Sequence, residues 1–326
     1  MFWASYFLAA LAVILAWPVP VLLSRAKWPA RSPFSAMVLW QSIALAGGLS
    51  MIGAMLTWGL EPIGGNLAQG LSGLWDILLQ RRSVEPLGLV HVFAISAAVL
   101  LSAHLVFTLL LTYYRIVSGR RRHRDMLNLL SSPSLNTPAT VVIPHPSPVA
   151  YCLPGGAHSV TVLSDGLMDI LSEQELSGVL THEKAHLSQH HHLLLWAFAA
   201  WRAALPWLPT SQLAQRSVNE LIEMLADDEA LKKVDRPTLI RAVAIVGSAS
   251  ASGAGADTAA SLPGSSGPAV AGGGVEDETG MAARLSRLLT PQPPLPRWLD
   301  VLIQAAAALL LAVPTVLLFA PGLIHG

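Results

Sequence analysis

The sequence is poor in charged residues and in cysteine. Only 12% of its 326 residues are charged, whereas 53% are hydrophobic, and the mean hydropathy is +0.53. Soluble domains usually contain about 25% charged residues, so this composition indicates a membrane protein. The formal net charge is zero, which argues against bulk electrostatic attraction to nucleic acid. The single cysteine, Cys152, excludes an internal disulfide.

Basic residues are also missing ahead of the first apolar run. The run from Phe2 to Leu23 is long enough to cross about 30 Å of hydrocarbon, and it lacks both the positive start and the small-residue cleavage site of a signal peptide. We interpret it as a retained transmembrane helix. Three later apolar runs predict further spans. The four predicted spans are residues 2–23, 34–60, 87–114 and 298–320.

The positions of lysine and arginine predict the orientation of these spans. Arg25, Lys27 and Arg31 follow the first span, and a block of arginines from Arg115 to Arg124 follows the third. The positive-inside rule places both segments in the cytoplasm. We therefore expect a multi-pass protein of the cell membrane, with the region between spans three and four in the cytoplasm and both termini outside. The outer segment 61–86 has leucines at helical spacing around Trp75, which predicts an interfacial helix.

Two histidines and one short apolar stretch need to be placed relative to the membrane. His91 and His104 fall in the third span, where a histidine either marks a proton path or bonds to a neighbouring helix as a neutral ring. Residues 193–208 are apolar, but they are fewer than the roughly 20 residues that a transmembrane helix needs. We expect this stretch to stay on the cytoplasmic side, packed against the membrane face or the catalytic core.

Between the third and fourth spans the pattern predicts a small mixed domain. Short β-rich runs at 140–143, 149–153 and 159–163 predict a sheet. Capping boxes predict a helix that starts at Ser172 and another that starts at Ser217, and a third helix is predicted at 235–247. Residues 248–280 are mostly Ala, Gly, Ser and Pro, which predicts a flexible linker. A short amphipathic helix is predicted at 281–289.

The helix that starts at Ser172 carries the sequence His182-Glu183-Lys184-Ala185-His186. Two histidines four residues apart lie on one face of a helix and can bind a single zinc ion. The glutamate between them, Glu183, is the usual general base. Zinc hydrolases use three protein ligands and keep a position open for water, so a third ligand must come from elsewhere in the chain.

Glu223 is the best candidate for the third ligand, and Asp227 lies one turn later on the same helix face. A carboxylate at that place can accept the free ring N–H of a ligand histidine and orient it. Glu220 is the rival ligand, and Asp228 is the rival orienting group. A straight helix cannot bring a third downstream histidine to the same ion, and no glycine turn is present. We therefore expect His190, His191 and His192 to cap the helix end, where positive charge is favourable.

Five motifs precede the fourth predicted span: Ser164 to Leu167, Leu171 to Leu176, Val179 to His186, Pro206 to Pro209 and Glu223 to Ala230. Together they resemble the BlaR/MecR family of antirepressor metallopeptidases, and HtpX-like membrane proteases share the core pattern. The resemblance covers about residues 90–300. It implies a gluzincin-type fold and zinc-dependent cleavage of a cytosolic or membrane-proximal protein, with His182, His186 and Glu223 as ligands and Glu183 as base. Antibiotic-sensing members carry an extracellular penicillin-binding domain after the last span, and we expect this protein to lack it.

We therefore expect a mainly α integral membrane protein with four transmembrane helices and a small α+β, gluzincin-like zinc peptidase domain. The expected function is regulatory cleavage of a cytosolic transcriptional repressor, with HtpX-like quality-control proteolysis and a non-catalytic signalling subunit as alternatives. Zn²⁺ is the expected cofactor. The expected partners are a protein substrate and the lipid bilayer, without nucleic acid or a small-molecule cofactor. The predicted regions are a membrane domain at 1–114, a cytosolic peptidase domain at 115–247, the linker at 248–280, the amphipathic segment at 281–297 and the last span.

Overall fold

The computed structural model describes residues 1–80, 87–130, 132–133, 140–146, 149–153, 160–253 and 273–319. These residues form twelve α-helices and four β-strands. Contacts divide the chain into two units. The first consists of Met1–Leu110, Ala200–Ala214 and Leu295–Gly326, and the second of Leu111–Ala199 and Gln215–Pro294.

Four helical segments are long and apolar enough to cross a membrane. They are Phe2–Ser24, Pro33–Ile63, Leu89–Arg122 and Arg297–Phe319, close to the four predicted spans, and they are consistent with a multi-pass membrane protein. Which side each loop faces stays a prediction. The helices are α1 Phe2–Ala16, α2 Pro18–Ser24, α3 Pro33–Leu60, α4 Leu67–Gln80, α5 Leu89–Leu130, α6 Asp165–Ile170, α7 Glu173–Ser188, α8 His191–Ala204, α9 Pro209–Ala230, α10 Arg236–Gly253, α11 Gly273–Leu289 and α12 Arg297–Phe319.

In the first unit α3 is the central helix, and it contacts both α1 and α12. Its Trp40 and Ile43 are buried, as is Leu8 of α1. The outward faces of these helices and of α5 carry large apolar side chains, of which Trp3 of α1 is 83% and Leu89 of α5 is 89% exposed. Such faces suit a hydrocarbon solvent, since a soluble protein seldom exposes large contiguous apolar patches. Helix α4 lies in the segment where an interfacial helix is predicted, and its position at a membrane interface stays a prediction.

The first unit also includes the end of α8, the start of α9 and the turn between them. We call residues 200–214 the α8–α9 hairpin. Its Ala204, Leu205 and Leu208 form a buried cluster that packs against Ala16 of α1 and Met51 of α3. The predicted peptidase domain at 115–247 includes this hairpin, whereas its contacts place it with the apolar helices.

The prediction that a helix starts at Ser217 is wrong. Helix α9 begins at Pro209, and Ser217 lies inside it. Proline suits the first position of a helix because its fixed φ is helical and its missing N–H has no partner to lose there. The Pro206-Trp207-Leu208-Pro209 sequence therefore supplies the actual start signal.

The second unit contains a four-stranded sheet with the order β1-β2-β4-β3. Strand β1 is Ser132–Pro133, β2 is Thr140–Ile143, β3 is Ala150–Leu153 and β4 is Val160–Ser164. β2 and β4 are parallel, and the other two pairs are antiparallel. The last three strands lie within one residue of the predicted runs. Leu163 of β4 packs with Ala150 of β3 and with Leu176, Val179 and Leu180 of α7, so the sheet supports the helix that carries both histidines.

Helix α11 packs onto α9 and α10 in the second unit. Its Leu288 is buried with Ala230 and Leu239, and Leu285 packs against the same cluster. The ends of the predicted linker at 248–280 are helical, since α10 continues to Gly253 and α11 begins at Gly273. Residues 254–272, the middle of that linker, lie outside the described residues. Helix α11 is therefore longer than the predicted segment at 281–289.

Candidate metal centre

Helix α7 begins at the predicted capping box. The Ser172 hydroxyl oxygen accepts from the Glu175 N–H at 3.3 Å, and the Glu175 carboxylate accepts from the Ser172 N–H at 2.8 Å. This reciprocal pair fixes the first turn of the helix. Two and three turns later His182 and His186 extend from one face, with their Nε2 atoms 3.3 Å apart.

Helix α9 brings Glu223 to the same point. Its Oε2 lies 3.3 Å from His182 Nε2, and its Oε1 lies 3.5 Å from His186 Nε2. One ligand atom from each of the three residues lies within 4.8 Å of the others. Three donors that each lie about 2.0–2.1 Å from a tetrahedral zinc ion are separated from one another by about 3.3 Å. The spacing and the His₂Glu donor set both fit zinc.

The predicted orienting group, Asp227, lies behind His182. Its side chain is 1% exposed, and its Oδ1 lies 3.0 Å from His182 Nδ1. An N–H on Nδ1 therefore donates to Asp227, which leaves Nε2 of His182 on the side of Glu223. Although burial disfavours the charged ring, hydrogen bonds to Asp227 and Glu223 raise the pKa of His182 to about 9. Without a metal ion, His182 is protonated at neutral pH.

The two rival carboxylates lie elsewhere in the second unit. Glu220 pairs with Arg216 at 3.3 Å, and burial raises the pKa of its carboxyl group. Asp228 accepts two hydrogen bonds from Arg287, at 2.7 and 2.8 Å. Of the four acids considered, the structure brings Glu223 and Asp227 to the histidines.

His186 has a partner that the sequence analysis assigned differently. Its Nδ1 lies 3.1 Å from Nδ1 of His191, whose Nε2 lies 3.0 Å from the Gln189 side-chain oxygen. His191 is 1% exposed, and burial lowers its pKa to about 4. The neutral ring donates to Gln189 and accepts from His186, which leaves Nε2 of His186 free to bind a metal ion. The expectation that His191 is a charged helix cap is wrong.

The backbone at His190 explains how His191 returns to His186. His190 has a φ of 54°, in the left-handed region, and is the one non-glycine residue with positive φ among the described residues. Histidine is among the residues that adopt this conformation more often than most. The turn after α7 therefore exists without the glycine that the sequence analysis sought. The first turn of α8 then places His191 beside α7.

Arg284 of α11 is a site residue that the sequence analysis missed. Its guanidinium binds Asp227 at 2.6 and 2.9 Å and lies 3.0 Å from Glu223 Oε2. Burial by itself disfavours the charge, but bonds to Asp227 and the charges of Glu223, Asp227 and Glu183 raise the pKa of Arg284. In return, bonds from His182 and Arg284 hold the pKa of Asp227 below its ordinary value despite burial. The arginine thus balances two carboxylates that face the histidines.

Glu183 follows His182 on α7 and is half-buried. Its charge is among those that act on Arg284, so its carboxylate lies near the cluster. Its position next to a ligand histidine is the one that a general base requires in this type of site.

Comparison with known proteins finds a similarity over part of the chain. Residues 118–247 match the model of Peptidase family M48. The M48 segment includes the sheet, α7 and α9, and therefore all three candidate ligands, Glu183 and Asp227. Arg284 lies beyond it. The match supports a metallopeptidase segment in this part of the chain.

The curated relatives are similar to this chain over a shorter stretch. One, "Protease HtpX homolog" of Desulforapulum autotrophicum, is 34% identical over 76 residues, which are 23% of this chain and 24% of the relative. A second from Pelotomaculum thermopropionicum is 33% identical over 78 residues, 24% and 28% of the two chains. A third from Campylobacter hominis is 32% identical over 73 residues, 22% and 26%. The chain spans about a quarter of the length of these relatives. No solved structure matches.

Proposed function

We propose that this chain is a membrane-embedded zinc endopeptidase of the HtpX-like type. The observation that carries the proposal is the cluster of His182, His186 and Glu223 inside the M48 segment. The two Nε2 atoms are 3.3 Å apart, and each lies within 3.5 Å of an oxygen of the Glu223 carboxylate. Zinc is the metal that this donor set and spacing fit best. Asp227 and the pair of His191 and Gln189 orient the two rings.

The chemistry follows from the residues around the site. A bound zinc ion would polarise the scissile carbonyl and lower the pKa of a water molecule. Glu183 takes the proton of the attacking water and passes it to the leaving amine. Arg284 keeps Glu223 and Asp227 ionised, so that Glu223 remains a ligand and Asp227 remains an acceptor for His182.

Strand β3 offers a place for the substrate backbone. Among the described strands it lies at one end of the order β1-β2-β4-β3, so one of its edges has no strand partner there. Its Ala150 packs in the same cluster as Val179 and Leu180 of the zinc-binding helix. An extended substrate can add to such an edge through main-chain hydrogen bonds. We propose that the substrate binds along β3.

For the substrate class, we propose proteins of the membrane, in line with quality-control proteolysis. The curated relatives carry a general protease name, which favours this function over cleavage of one repressor. Cleavage of a cytosolic transcriptional repressor is the second candidate, and the motifs shared with BlaR/MecR proteins favour it.

A proteomic comparison separates the two candidates. Wild-type cells are compared with cells that carry Glu183→Gln, a variant that keeps the ligands but lacks the proposed base. Accumulation of many membrane proteins in the variant is expected from quality control. Accumulation of one intact DNA-binding repressor would replace that function with the regulatory one. Identical proteomes under membrane stress and under inducing conditions would reject both.

The cytoplasmic location of the peptidase segment is also a proposal. It rests on the arginines and lysines that follow the first and third spans. A cysteine at Ser265, in the Cys152→Ser background, is expected to be shielded from an impermeant thiol reagent in intact cells, whereas one added after Gly326 is labelled. Labelling at Ser265 would place the site outside and would exclude a cytosolic repressor as its direct substrate.

A further inference from the structure

The α8–α9 hairpin contacts three membrane helices close to their middles. Trp201 packs against α3 at Gly48, where an added Cβ would lie 3.0 Å from its ring. Gly48 is about 22 Å from Pro33 and about 18 Å from Leu60 along the helix, at a rise of about 1.5 Å per residue. The hairpin therefore lies well away from either end of this span.

The contacts of the hairpin with α1 and α5 also lie near the middle of those helices. The Thr210 hydroxyl of the hairpin reaches the carbonyl oxygens of Leu15 and Ala16, at 2.8 and 2.6 Å, and Leu15 lies about 20 Å from Phe2 by the same rise. On α5, His104 donates from Nε2 to the Ala204 carbonyl at 3.0 Å. His104 is about 22 Å from Leu89 and about 16 Å from Arg115. A hydrocarbon layer is about 30 Å thick, so all three contacts fall near its centre.

Several backbone carbonyl groups in the turn of the hairpin have hydrogen-bond donors within the protein, as backbone at the centre of a bilayer requires. Irregular backbone inside a bilayer must find its partners within the protein, because no water is available. The Ala204 carbonyl accepts from His104, as above. The Ser211 hydroxyl donates to the carbonyls of Leu205 and Leu208, at 2.6 and 2.8 Å, and the Gln212 amide donates to the Pro206 carbonyl at 2.6 Å.

Helix α1 ends at Ala16 and α2 begins at Pro18, so the first span is interrupted between them. The prolines at this interruption explain the role of Thr210. Pro20 has no N–H to donate to the Ala16 carbonyl four residues earlier. Thr210 of the hairpin supplies a donor at this carbonyl. Thr210 is itself 2% exposed, and its hydroxyl contacts this carbonyl and that of Leu15.

The outer surface of the hairpin is apolar at its turn, where Pro206 and Trp207 are exposed, Trp207 to 70%. The exposed amide of Gln212 is bonded to the Pro206 carbonyl. Arg202 is the only charged residue between Ala200 and Ala214. Side chains of a helix lean toward its N-terminus, so Arg202 leans away from the turn and back along α8. A long basic side chain can then reach a polar layer while its backbone stays in hydrocarbon.

From these observations we infer that residues 200–214 form a re-entrant hairpin inserted into the bilayer, with Trp207 in contact with lipid acyl chains. The chain enters the membrane along α8, turns at residues 204–209 and leaves along α9, on the side from which it came. The helices that carry His191 and Glu223 are thus each anchored in lipid at one end. This inference concerns location and does not depend on the proposed peptidase activity.

Spin labelling in liposomes of phosphatidylcholine and phosphatidylglycerol tests the inference. The full chain in the Cys152→Ser background carries one label at Trp207→Cys. Collision rates with oxygen, which concentrates in hydrocarbon, and with a water-soluble nickel chelate are measured by electron paramagnetic resonance. Leu100→Cys, at an exposed position of α5 in the third span, is the lipid control, and Asn219→Cys, at an exposed position of α9 outside the hairpin, is the water control.

The label at residue 207 is expected to match that at residue 100, with frequent oxygen collisions and at least about tenfold fewer nickel collisions than at residue 219. A match to residue 219 would place the hairpin in water. Low collision rates with both reagents would place Trp207 inside protein. Either result would overturn the inference. The same labels in Glu183→Gln protein should give the same values, so loss of activity cannot be mistaken for loss of insertion.

Discussion

The two units of the chain use different chemistry to stabilise polar groups removed from water. In the second unit, Arg284 binds Asp227 and Glu223 through close ion pairs. In the first unit the partners are mostly neutral. Asp300 of α12 accepts from the hydroxyls of Ser32 and Ser35, at 2.5 and 2.7 Å. A charge is costly in an apolar environment unless it is paired, so the dense charges lie where the proposed chemistry uses them.

This difference means that a substitution in one unit should affect one property and leave the other unchanged. Changes in the charged cluster should alter zinc binding or turnover. Changes in the hydroxyl bonds of the first unit should alter stability alone.

The largest effect is expected from Glu223→Ala, which removes one of the three proposed ligands. The purified variant should lose its zinc, and with it all peptidase activity, because two histidines alone hold the ion weakly. Elemental analysis of the purified protein measures the loss. Glu220→Ala, one turn earlier on α9, is the matched control and should keep its zinc. The reverse result for these two variants would remove Glu223 from the ligand set.

Glu183→Gln should keep zinc and lose turnover. The amide cannot accept the proton of water, whereas the ligands are untouched, and general-base catalysis typically contributes about a hundredfold or more. Metal content is measured beside the rate of cleavage of a protein substrate. Turnover above about one hundredth of the wild-type rate would show that another group acts as the base.

Asp227→Ala should weaken zinc binding by about 10- to 100-fold, the range expected for a residue that orients a ligand. The ring of His182 then loses its acceptor, and Arg284 loses a partner. Competition with a metal chelator gives the affinity. Asp228→Ala, whose carboxylate pairs with Arg287 instead, serves as the control and should bind zinc as the wild type does. Equal effects of the two changes would contradict the orienting role.

Zinc binding should depend on pH through His182. Its ring is protonated below a pKa of about 9 in the metal-free protein, and zinc must displace that proton. His186 has a pKa of about 4 and is already neutral. The affinity should therefore rise about tenfold per pH unit between about pH 6 and 8 and level off above about 9. Chelator competition at several pH values checks this, and a flat profile would contradict it.

The smallest effect is expected from Thr210→Val in the first unit. The change leaves buried carbonyl oxygens at Leu15 and Ala16 without that donor, at a cost of about 1–3 kcal/mol. Thermal unfolding in detergent should begin a few degrees lower, while zinc affinity stays the same. Thr315→Val is the control, because Thr315 bonds to Leu311 of its own helix. Equal destabilisation by both changes would show that the contact with α1 contributes little.

Local patterns in the sequence predicted much of the fold and most of the site. The four spans follow from length and hydropathy. The capping box at Ser172 and the spacing of His182 and His186 each depend on residues within one or two turns of a helix. Glu223 and Asp227 could be proposed together because their spacing suits a ligand and its neighbour on one helix face.

The groups that were missed depend on contacts between distant segments. Arg284 is far from both histidines in the sequence, and its contact with Asp227 requires α11 to pack against α9 and α10. His191 was misassigned because the turn that returns it to His186 uses a left-handed histidine instead of a glycine. The predicted start of α9 was wrong because Ser217 and Glu220 match the capping-box pattern although they lie inside the helix.

The position of Arg284 has a consequence for the order in which the protein is made. A ribosome completes His182, His186 and Glu223 well before it reaches α11. Until that helix emerges and docks, Asp227 and Glu223 lack the arginine that balances their charge, and the site is unfinished. If the proposed peptidase activity requires this arginine, a nascent chain would be inactive while its earlier helices are being inserted. The proposed activity would then begin only once α11, the helix that precedes α12, has been made.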